Sequence, residues 1–373
     1  MYGASKVASR QSAAAGTEAI HHPIFRQFPC WKGIVPPDFI VNFLGVLTRV
    51  DYFEAYRDIS NRYPEDRRVE TDYPIFDEEY FEWIDVLEAT VAAEDHFTML
   101  ELGAGYGRWT ANAAAALRIL GKSRSTFVAV EAEPTHFQWL SQHLAANSVD
   151  SSNLRLVQAA VAGTDGKVGF HLEDPHYVGP ARWYGQHMGG PHSIDAVSLN
   201  TLLQPLNSVD LIDIDVQGAE LQVLQAGAQQ LDEQVKRIHI GTHGSDIEAG
   251  LHSLFSRLGW ICVRSFPCGG SAETEWGPFM FQDGVQSWLN PSFSRVPNDE
   301  IVILSEKLAA SRREGLRLWQ ELENMRAERQ RVHTIDRASL TWKVLVRAGR
   351  FRDLLAPPGT RRRKMIESIV KKS

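Results

Sequence analysis

The sequence predicts a doubly wound α/β fold around a mostly parallel sheet of seven strands. Three observations carry this. Short apolar runs alternate with helical segments from residue 97 to residue 281, the pattern of βαβ units. A glycine-rich turn, Gly103-Ala-Gly-Tyr-Gly107, stands where the first strand should become a helix. Aspartates punctuate a later apolar run, Val209-Asp-Leu-Ile-Asp-Ile-Asp-Val216, toward the carboxyl end, where such sheets bind ligands.

In chain order, residues 1–20 read as a disordered leader. Residues 21–94 read as an N-terminal cap and helix: 21–75 is dense in aromatics and prolines, and a helix near 77–93 carries apolar Tyr80, Phe81, Ile84, Leu87 and Val91 at three- and four-residue steps. The main domain spans 95–290. Its strands are expected at 97–102, 127–130, 154–161, 209–216, 237–241, 260–266 and 278–281, with an extra one at 167–171. Its helices are expected at 108–120, 134–146, 218–231 and 247–258. From 298 to 335, ten positions from Ile301 to Val332 fall on alternating three- and four-residue steps, and seven of them are apolar. That predicts a coiled-coil-like helix, a candidate surface for a homo-oligomer. Residues 336–373 read as a basic amphipathic tail.

Charge is unevenly spread. The net charge is −7, yet residues 341–373 carry +8 and the remainder −15. An acidic body argues against a face that tracks nucleic-acid phosphates, so no nucleic acid is expected. The tail suits a solvated end, a peripheral contact with anionic lipid, or a glycan-assembly partner. Three cysteines, Cys30, Cys262 and Cys268, form neither a disulfide framework nor a zinc spacing. With no signal-peptide core, the expected location is cytoplasmic, with the inner membrane face as the peripheral option.

The first chemical motif is Met99-Leu-Glu-Leu-Gly-Ala-Gly-Tyr-Gly-Arg-Trp109. Gly103 and Gly105 let the backbone approach a ligand, and Gly107 opens a helix. A dinucleotide fingerprint would place its third glycine at 108, where Arg108 stands. Glu101 would repel a pyrophosphate and suits the α-amino group of S-adenosylmethionine (SAM). Glu101, Gly103, Ala104, Gly105, Tyr106 and Gly107 are therefore expected to bind this cofactor. The second motif, Val128-Ala-Val-Glu-Ala-Glu-Pro134, ends a strand in acids. Glu131, beside Ala132, is expected to accept the ribose hydroxyls, with Glu133 in reserve. In the third, Asp213 and Asp215 are two apart and share one face of a strand. Buried acids are costly unless they bind something: the ligand's amino group, the substrate or a metal. Glu220 either joins them or complements a helix dipole.

These three motifs, in this order, resemble the FkbM family of SAM-dependent methyltransferases. The resemblance covers about 95–265, and Ile214-Asp-Val-Gln-Gly-Ala-Glu220 with Leu224 is its most specific part. The chain departs from the family at Gln217, where an acid is usual, and at Asp213, where a Lys is common. The resemblance implies a class I methyltransferase fold and O-methylation of a hydroxyl, often on a sugar or natural product. It also sets Gln158 and Ala159 at the adenine edge.

An O-methylation wants a destination for the hydroxyl proton. His243, past the fifth strand, is expected to approach Asp213 and Asp215 as an oriented base. The alternatives are that Asp213, Asp215 and His243 hold a divalent metal, or that His243 is structural. His239 reads as a packed core residue. The long connection 173–193 carries Trp183, Tyr184 and Gln186 as candidate substrate contacts; its aromatics stack on a sugar or adenine, or simply anchor the loop. The leading expectation is an O-methyltransferase with a glycan or small-molecule acceptor. The alternatives are an N-methyltransferase on an amino sugar or peptide, and a scaffold acting through its coiled coil and tail.

Overall fold

A computed structural model describes residues 21–172, 175–176 and 190–293. The expected leader 1–20, coiled coil 298–335 and tail 336–373 lie outside the described residues, as do Trp183, Tyr184 and Gln186.

The proline- and glycine-broken stretch before residue 75 makes only short elements: β1 (Lys32–Ile34), β2 (Phe39–Val41), β3 (Leu47–Arg49), α1 (Glu54–Ser60) and β4 (Arg68–Glu70). They pair as β1–β4 and β2–β3, both antiparallel. Their aromatics nonetheless join the main core. Phe25 and Phe43 are buried against Tyr80 and Trp83 of α2 (Tyr80–Ala92). At the end of α2, Lys122 Nζ donates to the carbonyls of Thr90, Val91 and Ala93 at 2.8, 2.7 and 2.5 Å, satisfying acceptors that the helix leaves open.

The α/β domain follows. β5 (Phe97–Leu102), buried along its whole length, leads into the Ala-rich α3 (Arg108–Ile119), then β6 (Ser125–Glu131), α4 (Pro134–Ala146) and β7 (Leu154–Gln158). The run expected as one strand over 154–161 divides. Ala159 donates to Glu131 O at 3.1 Å, and β8 (Ala160–Ala162) leaves for a side sheet with β9 (Gly166–Phe170) and β10 (His192–Ser198). After α5 (Leu199–Leu203) come β11 (Leu211–Ile214), α6 (Glu220–Ala226) and α7 (Ala228–Gln234). The expected helix 218–231 is broken at Gly227, where a Cβ would lie 2.8 Å from Leu199. Then follow β12 (Arg237–Thr242), α8 (Ser245–Leu258), β13 (Ile261–Phe266), β14 (Ser271–Thr274), β15 (Gly277–Met280) and β16 (Gly284–Leu289).

The main sheet has seven strands in the order β13-β16-β12-β11-β5-β6-β7. Only β16 runs antiparallel to its neighbours, inserted between β12 and β13. This confirms the doubly wound, mostly parallel sheet. The expected final strand at 278–281 is corrected: β15 pairs with β14 in a hairpin, and β16 completes the sheet. Gln286 and Ser287, both buried, disguise β16 in the sequence. Among the described residues no helix is long and apolar enough to cross a membrane.

Candidate active site

The glycine turn is built by backbone demands. Gly103, Gly105 and Gly107 all have positive φ (83°, 54° and 76°), a region that side chains resist. At Gly103 a Cβ would come 1.9 Å from the carbonyl oxygen of Asp215, so loop and β11 approach as closely as backbones can. Glu101 faces the start of α3. Its Oε1 accepts from Trp109 N (3.0 Å) and its Oε2 from Thr110 N (2.9 Å), filling orphan donors at a helix N-terminus. The predicted cofactor-facing acid is thus also a helix cap. Burial pushes its carboxyl up to about 7, although the bonds from Thr110 and Trp109 oppose that rise.

Glu131, at the tip of β6, ties the first two motifs together. Its Oε2 accepts from Gly105 N and its Oε1 from Glu133 N, each at 2.7 Å. Each oxygen keeps a second lone pair, and Ala132 follows at the same strand end. Glu133 is spent elsewhere: its side chain caps α4 through His136 N at 2.6 Å. Gln158 pairs in register with Glu131, and Ala159 adjoins it. Tyr106 packs into an aromatic group with Tyr52, Phe53 and Trp139. Pro175 and His176 fasten the long connection here, through His136 Nε2 and Tyr52 O.

A buried polar row crosses the sheet one rung below these loops. Register aligns Glu101, Asp213, His239, Ser287 and Arg264 on five adjacent strands, and all five are buried. α2 lies over them and contributes Glu82, Asp85 and Glu88 at three-residue steps, which share a helix face. Asp85 accepts from Arg237, Arg264 and His239 Nδ1, each at 2.8 Å, and from Ser287 Oγ. Burial would raise this carboxyl, but Arg264, His239 and Arg237 outweigh it and hold it well below the usual range. Glu82 and Asp213 are side by side. Burial and the neighbouring acids raise both well above the usual carboxylate range. Sequence reading missed Glu82, Asp85, Ser287 and Arg264. The available signal was the Glu82–Asp85–Glu88 spacing inside an otherwise apolar helix.

The expected pairing of His243 is corrected in part. Its Nδ1 is 2.8 Å from Glu220 Oε1, and its Nε2 is 3.4 Å from Asp215 and 3.8 Å from Asp283. Asp213 turns instead toward Glu82 and His239. Burial alone would lower the imidazole, but the Glu220 bond and the charges of Asp215, Glu220 and Asp283 raise it to about 9. His243 is therefore an imidazolium at neutral pH, which is not the state of a base. Glu220, fully buried, serves both this ring and Gly218 N. Gln217 donates to Asp215 Oδ1 at 2.8 Å, where an acid would repel it.

A cleft opens at the carboxyl ends of β5, β11 and β12. Glu78, Glu79, Glu82, Glu101, Asp213, Asp215 and Asp283 line it, together with Gly103, Ala104, His239 and Arg108. Arg108 is already paired with Glu79 at 2.5 Å, so the cleft is strongly acidic.

Sheet, glycine turn and strand-end acids together define a methyltransferase on a Rossmann-like fold. Residues 101–257 match the family model of the methyltransferase FkbM domain. Over that stretch the chain is similar to the FkbM methyltransferase domain. A protein of Jannaschia sp. (strain CCS1) that bears a methyltransferase name is 24% identical over 287 residues, covering 72% of this chain and 98% of its own. Among solved structures, methyltransferase FkbM from Methylobacillus flagellatus KT aligns with 13% identity and a TM-score of 0.37, over 63% of this chain and 60% of that one. Precorrin-6y C5,15-methyltransferase from Geobacter metallireducens GS-15 aligns with 13% identity and a TM-score of 0.34, over 61% of this chain and 98% of that one.

Proposed function

We propose that this protein transfers a methyl group from SAM to a hydroxyl of a glycan, glycoconjugate or natural product. The observation that carries the SAM reading is the bond from Gly105 N to Glu131. It fixes the glycine turn and the strand-tip carboxylate as one unit, leaving lone pairs on Glu131 for a ribose diol. Gln158 and Ala159 extend that unit toward the adenine. The acids around Gly103 and Ala104 suit a positively charged methionine amino group. SAM, when bound, supplies an activated methyl on a sulfonium.

On the acceptor side, Asp215 is the most open acid at the sheet edge, its side chain 41% exposed. It can accept the hydroxyl hydrogen bond, aim an oxygen lone pair and draw off the proton. Gln217 and the His243 imidazolium hold Asp215 in place. His243 thus acts as a positioning residue behind a carboxylate. The acid surplus of the cleft favours one second reading, an amine acceptor on an amino sugar or peptide.

Calorimetric titration with SAM, S-adenosylhomocysteine and NAD tests the cofactor. Micromolar SAM binding that disappears in Gly105→Arg is expected; NAD binding, or none at all, refutes the reading. For the acceptor, Asp215→Asn and His243→Gln should lower kcat on saccharide hydroxyls. Unchanged turnover in both variants would favour the amine.

A further inference from the structure

We propose that Glu82, Asp213 and His239 bind a divalent cation in the cleft, with Asp85 orienting the histidine from behind. One ligand atom from each of the three lies within 4.8 Å of the others. The carboxylates alone would not make this case; the histidine does. Its side chain is 3% exposed, and its Nδ1 is bonded to Asp85. Asp85 also receives Arg237, Arg264 and Ser287, so it is a charged acceptor and the ring proton belongs on Nδ1. Nε2 is then left with a lone pair. It has no hydrogen-bond donor among the described residues, and His239 lines the cleft.

Three potential ligand atoms thus converge where no cationic side chain answers them. The nearby guanidinium groups are committed: Arg108 to Glu79, and Arg237 and Arg264 to Asp85 and Glu88. A metal-ligating histidine whose other nitrogen donates to a carboxylate is the usual support of such sites. One imidazole nitrogen with two carboxylates suits Mn²⁺ or Zn²⁺ better than the all-oxygen cages of Ca²⁺. The remaining coordination positions would open into the cleft.

The cluster formed by Asp215, Glu220 and His243 differs in kind. Carboxylates flank both nitrogens of His243, as they would flank an imidazolium, and no lone pair is offered. The alternative metal set, Asp213, Asp215 and His243, thus gives way to one that draws its first ligand from α2.

The test is titration of chelator-treated, full-length protein with Mn²⁺ alone, followed by the paramagnetic resonance of free Mn²⁺. One ion per chain is expected, with at least tenfold weaker binding in Glu82→Gln and Asp213→Asn. Asp85→Asn should weaken it about 10–100-fold. His243→Gln should bind as the parent does. Glu82 is on a helix and only half-buried, so its amide variant keeps the fold and the experiment interpretable. Absence of binding would mean that Glu82 and Asp213 share a proton instead, and would overturn the proposal. So would binding that survives Glu82→Gln but is lost in His243→Gln. The readout is occupancy, not turnover, so it stands apart from the identity of the acceptor.

Discussion

At the scale of single residues, the site is governed by a few close approaches. Gly103 has a φ of +83° and no room for a Cβ against Asp215. Gly103→Ala should therefore destabilise the protein by at least about 2 kcal/mol, measured by urea unfolding, because strain and overlap add. The three glycines and Glu131 were legible in the sequence because backbone geometry demands glycine and a strand tip presents its acid. The role of His243 was not. A strand-end histidine near acids reads as a base, and only the geometry reveals Glu220 on one nitrogen and Asp215 beside the other. Asp213 lines the cleft. Its partners were not foreseeable, since one comes from a helix 131 positions earlier in the chain.

Among the elements, α2 has the largest influence. It covers the polar row with Glu82, Asp85 and Glu88 while its other face packs aromatics from the cap. Asp85 pairs with the guanidinium groups of Arg237 and Arg264, so Asp85→Ala leaves both with Glu88 alone. A loss of about 3–5 kcal/mol in unfolding free energy is expected. A cost under 1 kcal/mol would show that the two arginines find other partners. The apolar period of α2 was readable, and its bounds fall within the predicted helix. Its polar face was not, because three acids on a helix ordinarily face solvent. The same limit hid β16: the polar pair Gln286-Ser287 interrupts its apolar pattern, whereas nearly all of it is buried in the sheet.

For the whole molecule, the buried ionisable groups predict how stability changes with pH. His243 is raised to about 9, so its contribution is complete below its unfolded value near 6.5 and fades as pH rises through 9. Glu101 is raised to about 7, so the folded state also loses ground as pH climbs from about 4.5 through 7. Asp85 acts oppositely: its contribution is lost only as pH falls below the usual carboxylate range. Thermal unfolding should therefore give a Tm that declines steadily from pH 6 to pH 10, with the upper part of that slope flattened in His243→Gln. A Tm that rises across this range would contradict the ion pairing described for His243.

The placement of β16 has a consequence for synthesis. β12 is complete at Thr242, but the strand that covers its open edge begins only at Gly284. At about 5–20 residues per second, ribosomes take about 2–8 s to make the intervening chain. Throughout that interval β12 presents unpaired backbone groups, and Asp283–Val285, one wall of the cleft, do not yet exist. A nascent chain stalled before residue 284 carries a sticky sheet edge in place of a pocket, the form most prone to aggregate or to need a chaperone.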